Sequence, residues 1–301
     1  MRGSFRYFTL FMTLGDIEDI YVHQLPSFYE REEAKAIAAI AIEQVCQRSR
    51  SYMMLHKSEP ITLIQETTLI RILDELRFGK PLQYVLGEAD FFGLRFKVDS
   101  SVLIPRQETE ELVDWVLTYL KEKKIARHLE EPVHILDIGT GSGCIPVTIK
   151  KNLPEAFVCG LDISLEAIRV AEQNARQLAT EVRFIRGDIL DGSLNLQPLQ
   201  FHVIVSNPPY VTVGEKEQML KNVLDYEPHA ALFVPDDDPL VFYRRIADFS
   251  HKHLRPEGAL FLEINENFGG ETCRLLDEMG YHSQLRKDLK GKDRMVMAWL
   301  K

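Results

Sequence analysis

The sequence is short of the features that mark specialised chains. Four cysteines in 301 residues, Cys46, Cys144, Cys159 and Cys273, lie far apart, with no C-x-x-C pair and no histidine cluster at metal spacing. That excludes a disulfide framework and a structural zinc site as starting readings. A reducing, cytoplasmic setting without a metal is the expectation. No run approaches the roughly 20 uninterrupted apolar residues of a membrane span, because charges interrupt even the richest stretches, and no membrane partner is expected. Met1-Arg2-Gly3-Ser4 and Phe5-Arg6-Tyr7-Phe8 bring two arginines and a short apolar run, but Asp16, Glu18 and Asp19 follow without a small-residue cleavage site. This reads as a start site rather than a signal peptide. Basic excess is also missing: 36 Lys and Arg face 45 Asp and Glu, for a net charge of −9. Residues 1–86 hold 10 basic against 11 acidic side chains and the remainder 26 against 34, so neither part is a basic module. Direct nucleic-acid binding, which draws its affinity from Lys and Arg on phosphates, is not expected.

What is present is an ordinary globular composition, 45% hydrophobic and 27% charged, long enough for one large domain or two unequal ones. From Ser27, a residue able to cap, Glu30, Glu32 and Glu33 precede Ala34, Ile37, Ala38, Ala41, Ile42 and Val45 at helical spacing. Leu69, Ile72, Leu73 and Leu76 repeat the pattern until Gly79-Lys80-Pro81 ends it. Phe92, Leu94, Phe96 and Val98 then alternate with Gly93, Arg95 and Lys97, a period of two that predicts a hairpin. Beyond Arg106, apolar runs at 134–138, 157–161, 182–185, 201–206 and 259–264 alternate with helical segments near 164–179 and 239–254. Such alternation predicts a doubly wound, mostly parallel α/β sheet. The runs 281–285 and 295–299 have no helix between them and predict an antiparallel finish. The expected organisation is a small helical domain at 12–85, a β-hairpin linker at 86–104 and an α/β domain at 105–301.

Three clusters carry chemistry. Asp137-Ile138-Gly139-Thr140-Gly141-Ser142-Gly143 follows the first strand of the α/β part and precedes a helix. Its glycines permit a tight turn and close approach by a ligand, although a plain strand-to-helix turn would look similar. The spacing differs from the Gly-x-Gly-x-x-Gly dinucleotide fingerprint, and the acidic Asp137 suits a cationic ligand better than a diphosphate. Pro146 falls in the first turn of that helix, where its missing N–H has no partner to lose. Asp162, at the end of the second strand, can accept two ribose hydroxyls or cap the helix near Ser164. Asp188 can reach an adenine amino group with Ile189 against the ring, or close a turn. The third cluster, Ser206-Asn207-Pro208-Pro209-Tyr210, follows the fourth strand. Two prolines hold its backbone extended and lack N–H donors. The Asn207 side chain and the Asn207 and Pro208 carbonyls can accept hydrogens from a planar –NH2 group, beside the flat face of Tyr210.

Asp137–Gly143, Asp162 and Asn207–Tyr210 resemble the class I S-adenosylmethionine-dependent methyltransferases that act on amide or amino nitrogens. More narrowly, Leu82-Gln83-Tyr84-Val85-Leu86-Gly87, Phe92-Gly93 with Phe96-Lys97-Val98, residues 102–110, Glu227-Pro228, and Lys287-Asp288-Leu289 with Gly291-Lys292-Asp293-Arg294 resemble the peptide chain release factor glutamine N(5)-methyltransferases. The likeness runs from about residue 30 to the end, with Gln107 standing where that family usually has proline and Pro146 where it usually has a small residue. It implies a Rossmann-like sheet and S-adenosylmethionine bound by Asp137, Gly139, Thr140, Gly141, Ser142, Gly143, Asp162, Asp188, Ile189 and Asn207. It further implies a glutamine amide held by Asn207, Pro208, Pro209 and Tyr210, with Asn207, Pro208 and Tyr210 at the chemistry. The implied partner is a peptide chain release factor, docked on the helical domain of a monomeric enzyme. Asn-Pro-Pro-Tyr by itself is shared with DNA and RNA base methyltransferases, the main rival reading; a non-catalytic partner-binding module is the other.

Overall fold

A computed structural model describes residues 11–25, 29–123 and 132–301; Ser27 and the start-site residues Met1–Phe8 lie outside these. The chain divides into two compact units, Met1–Gly87 and Glu88–Lys301.

The first unit is helical: α1 (Leu14–Gln24), α2 (Arg31–Cys46), α3 (Arg50–Leu55), α4 (Leu63–Arg77) and α5 (Leu82–Leu86). Capping boxes start two of them. The Thr13 hydroxyl accepts the Asp16 N–H while the Asp16 carboxylate accepts the Thr13 N–H, and Thr62 and Gln65 repeat the exchange at α4. The start of α2 is at Arg31, after a Glu30 that makes no side-chain cap, with Glu32 and Glu33 in its first turn. Ala34, Ile37, Ala38, Ala41 and Ile42 share one buried cluster with Leu69, Ile72, Leu73 and Leu76, with Val45 at its edge, so both helical stripes read from the sequence face one core. The buried Tyr21 hydroxyl donates to the Leu69 carbonyl at 2.7 Å.

The second unit opens with a hairpin, β1 (Glu88–Phe91) and β2 (Leu94–Lys97). The expected alternation begins one turn too late: Phe92 and Gly93 are the turn itself, both at positive φ, +51° and +73°, as a two-residue hairpin turn of this hand requires. Helix α6 (Gln107–Glu122) follows. The main sheet contains β3 (His134–Ile138), β4 (Phe157–Asp162), β5 (Arg183–Arg186), β6 (Phe201–Ser206), β9 (Leu254–Glu263), β10 (Tyr281–Lys287) and β11 (Asp293–Leu300), while β7 (Val211–Thr212) and β8 (Phe233–Val234) pair separately.

Strand order in the main sheet is β10-β11-β9-β6-β3-β4-β5. β5, β4, β3, β6 and β9 run parallel to one another, whereas β11 runs antiparallel to both β9 and β10. This is the mostly parallel sheet with an antiparallel last strand that the alternation predicts. Both faces are covered, which is why the strands read as continuous apolar runs. On one face Ile135, Val203 and Val205 pack with Leu112, Val113 and Val116 of α6 and with Val147. On the other, Leu136, Ile138 and Ile204 pack with Tyr243, Ile246 and Phe249 of the helix Val241–His253. From β3 the chain moves outward through β4 and β5, then returns to β6 on the opposite side of β3. That reversal opens a crevice at the carboxyl ends of β3 and β6, where open α/β sheets bind ligands. Among the described residues no helix is long and apolar enough to cross a membrane.

Candidate active site

The glycine loop turns out of β3 at this crevice. Gly139, Gly141 and Gly143 have φ of +75°, +52° and +78°, the left-handed region that only glycine enters without strain. The Gly139 and Thr140 N–H groups both donate to the Leu161 carbonyl, at 2.8 and 3.0 Å, and the Gly143 N–H donates to that of Thr140 at 2.8 Å. Those donors are spent inside the protein, so the loop is ill suited to wrapping a diphosphate. Buried Asn174 fastens the loop to the hairpin: its Nδ2 donates to the Ser142 and Lys97 carbonyls and its Oδ1 accepts the Lys97 N–H at 2.7 Å. The helix Cys144–Asn152 follows, with Pro146 in its first turn.

Asp137, Thr140 and Ser142 are buried together, and no hydrogen bond of ordinary geometry satisfies either Asp137 carboxylate oxygen or the two hydroxyls, the Thr140 hydroxyl being the donor that stands nearest to Asp137. Burial, opposed by the Thr140 hydroxyl and helped a little by the Asp162 carboxylate, pushes the Asp137 carboxyl up to about 7. A buried acid with unspent acceptors favours a cation within reach. Asp162 is engaged on both oxygens: one accepts the Gly141 N–H at 2.8 Å and the other the Ser164 N–H at 2.9 Å. Ser164 itself caps the following helix, accepting the Ala167 N–H. Asp162 thus ties the glycine loop to the end of β4, and a carboxylate with one donor per oxygen keeps lone pairs for two hydroxyls. Burial raises its pKa, opposed by those N–H donors. Asp188 and Ile189 follow β5, two strands from β3. One Asp188 oxygen accepts the Leu190 N–H at 2.8 Å, so the turn reading accounts for part of this side chain.

Asn207–Tyr210 leaves β6 directly beside the glycine loop; a Cβ on Gly139 would stand 3.9 Å from the Asn207 carbonyl oxygen. The Ser206 hydroxyl anchors the strand end to the Ile138 carbonyl at 2.6 Å. Asn207 Nδ2 donates to Thr109 Oγ1 at 3.0 Å, Thr109 Oγ1 donates to Glu263 Oε2 at 2.7 Å, and the Tyr210 hydroxyl donates to Glu263 Oε1 at 3.0 Å. Pro208 is buried. Asn265 Nδ2 holds the Tyr210 carbonyl at 3.0 Å. Glu263 is buried, which raises its pKa against the pull of the two hydroxyls and the Arg294 charge; burial, then Glu263, carry the Tyr210 phenol well above its ordinary value. The segment leading into α6 is pinned in turn by the nearly buried Glu227, which pairs with Arg106 at 2.6 Å and accepts the Ile104 N–H at 3.3 Å.

Thr109, Glu263, Asn265 and Arg106 were not among the residues expected here. The signal for Glu263 is in the sequence: it is an acid in the otherwise apolar run Ala259-Leu260-Phe261-Leu262-Glu263-Ile264, at the carboxyl end where such sheets place their sites. Thr109 lies in the 102–110 stretch that carries the family resemblance, but nothing in that stretch marks its hydroxyl as part of the site.

Residues 129–241 match the family described as a methyltransferase domain, and residues 23–87 match the PrmC N-terminal domain. Curated relatives extend over nearly the whole chain. The release factor glutamine methyltransferase of Flavobacterium psychrophilum is 43% identical over 287 residues, covering 95% of this chain and 98% of the relative. The proteins of the same name from Bacteroides thetaiotaomicron and Streptococcus pneumoniae are 42% and 38% identical, covering 92% and 80% of this chain and 97% and 82% of theirs. With a parallel sheet reversing at β3 and β6, a glycine loop beside a buried acid, and relatives matched over 80–95% of this chain, the chain belongs to the release factor glutamine methyltransferase family.

Proposed function

We propose that this protein transfers a methyl group from S-adenosylmethionine to the side-chain amide nitrogen of the glutamine in the Gly-Gly-Gln loop of peptide chain release factors. The observation that carries the reading is the placement of Asn207-Pro208-Pro209-Tyr210 against the Gly139–Gly143 loop at the sheet's reversal point. Acceptors suited to an –NH2 group adjoin there a loop backed by a fully buried acid.

S-adenosylmethionine supplies an already activated methyl group on a sulfonium sulfur, so the protein need not build an electrophile. Asp137, with the Thr140 and Ser142 hydroxyls near it, offers negative charge and acceptors to a cation. Gly139, Gly141 and Gly143 admit the ligand close to the backbone, Asp162 has lone pairs for ribose hydroxyls, and Asp188 and Ile189 serve the adenine. Asn207 Oδ1 and the Pro208 carbonyl accept the two hydrogens of the substrate amide, one of which is lost as a proton when the nitrogen bonds the methyl group and the S–CH3 bonding pair stays on the donor's sulfur. Holding both hydrogens directs the nitrogen lone pair toward the methyl group and raises its electron density, which matters because an amide nitrogen is a poor nucleophile. Pro209 and Tyr210 wall the planar group. Positioning of this kind lowers barriers by up to ~7–11 kcal/mol.

The test is incubation of purified release factor with the protein and labelled S-adenosylmethionine, followed by peptide mass spectrometry. One added methyl group on the Gly-Gly-Gln glutamine is expected. Label in nucleic acid instead, or uptake by a Gly-Gly-Ala release factor, overturns the reading.

A further inference from the structure

We infer that Thr109 and Glu263 are positioning residues for the methyl transfer: Glu263, acting through Thr109, fixes the Asn207 amide with its oxygen turned toward the crevice. This rests on the reading of Asn207 as an acceptor for the substrate amide. The three side chains come from three separate elements, the first turn of α6, the end of β9 and the residue after β6. β6 and β9 are parallel neighbours with Ser206 opposite Leu262, so Asn207 and Glu263 leave the sheet side by side, and Thr109 closes the gap.

The direction of the chain of hydrogen bonds follows from what each group can do. A carboxylate only accepts when ionised, and the two hydroxyl donors and the Arg294 charge favour that form of Glu263 against its burial. Glu263 Oε2 is 2.7 Å from Thr109 Oγ1 and Oε1 is 3.0 Å from the Tyr210 hydroxyl, so both hydroxyl protons are committed to it. Thr109 Oγ1 has a single proton. Once that is given to Glu263, the oxygen can only accept from Asn207, 3.0 Å away. Asn207 must therefore present its NH2 to Thr109. The reverse rotamer would set Oδ1 against an oxygen with no proton left to offer. The consequence lies at the other end of the amide: Oδ1 faces away from Thr109, free to accept. An Asn207 turned the other way would offer N–H donors to a substrate amide that itself needs acceptors. The same carboxylate holds Tyr210 by its hydroxyl, so one buried acid sets two of the groups that meet the substrate. In this role Thr109 and Glu263 act on the substrate only through Asn207 and Tyr210.

The experiment is a double-mutant cycle on intact release factor, reading kcat, KM and the Kd for S-adenosylhomocysteine. Thr109→Val keeps the shape of the side chain and removes the hydroxyl. It is expected to lower kcat by ~10–100-fold, with KM and the cofactor-site Kd changing less than ~3-fold, as for loss of an interaction made in the transition state. Thr109→Ser should restore kcat to within ~3-fold. In an Asn207→Ala background, Thr109→Val should cost almost nothing further, because groups acting through one another are not additive. Should Thr109→Val fail to fold, Glu263→Gln is read in the same cycle with the same expectations. Active wild type together with a folded variant of near-normal kcat, or with costs that multiply in full on Asn207→Ala, overturns the inference alone. A wild type that leaves the glutamine unmethylated overturns the proposed function and the inference with it.

Discussion

On the proposed reading, Asp137 is the residue whose state is most tightly bound to the chemistry, because it is a fully buried acid with only the Thr140 hydroxyl to offset its burial. Its carboxyl is pushed up to about 7 by burial, assisted by Asp162, from an ordinary 3.8. Between those two values the ligand-free folded protein keeps a proton that the unfolded chain has released. Stability from this group is therefore complete below the ordinary carboxylate range and is lost as pH rises to about 7. A bound cation favours the ionised form, so cofactor binding expels that proton. S-adenosylmethionine affinity should accordingly tighten by up to about tenfold per pH unit on approach to about 7 and level off above it. Asp137→Asn should remove this dependence, weaken binding, and raise the melting temperature of the ligand-free protein at about pH 8. Calorimetry across pH checks all three; an affinity indifferent to both pH and the substitution defeats the assignment. Asp137 and Asn207 stand out in the sequence because each sits in a short motif with its glycines or prolines. Glu263 shows only as an acid in an apolar run, and its partnership with Thr109 does not show at all: Thr109 is 98 residues from Asn207 and 154 from Glu263, and no local pattern links positions that only the closed sheet brings together.

At the scale of elements, the glycine loop depends on a close approach between the start of one helix and the middle of the next. Gly143, at φ +78°, would place a Cβ 3.0 Å from the Cβ of Ala171 in the helix Leu165–Gln177. Gly143→Ala therefore meets both left-handed strain, ~1–2 kcal/mol, and overpacking, ~1–3 kcal/mol. Gly291, at φ +81° with nothing near its Cβ direction, meets strain alone. Thermal melts should show Gly143→Ala losing roughly twice as much stability as Gly291→Ala, together with weaker cofactor binding that Gly291→Ala does not share. Equal losses would mean that the packing against Ala171 contributes nothing. Strand positions were legible because a sheet covered on both faces needs unbroken apolar runs, and β3 and β6 coincide with theirs. The hairpin was less legible. Phe92 continues the apolar alternation, yet a bulky residue at φ +51° is uncommon; its N–H donates to the Glu110 carboxylate at 2.8 Å, a partner in α6 that supports the turn from outside it. The start of β9 was missed for a related reason. Arg255-Pro256-Glu257-Gly258 reads as a break, but the ladder shifts register there between Phe201 and Val203 and resumes.

The whole molecule poses a different question, because every candidate chemical group lies in Glu88–Lys301 and none in Met1–Gly87. A macromolecular substrate gives the helical unit a purpose that a free glutamine would not. Its charges nearly cancel, 10 against 11 over residues 1–86, so docking on it would rest on shape and apolar contact rather than on phosphate attraction. Large apolar side chains stand in solvent there: Leu63 and Ile64 in the first turn of α4 are 68% and 80% exposed, and Phe78 just after it is 81% exposed. Exposed apolar residues are common singly, and the reading of this unit as the release factor's docking surface is what makes these three worth substituting. Ile64→Asp and Phe78→Asp leave the buried cluster of the unit untouched. If the unit docks the release factor, each should raise KM for the intact protein by roughly tenfold, about 1.4 kcal/mol of lost contact. Turnover at saturation, the Kd for S-adenosylmethionine and methylation of a short Gly-Gly-Gln peptide should stay as they were. A KM for intact release factor that ignores both substitutions, in variants that melt like the parent, would take the docking role away from this face of the helical unit.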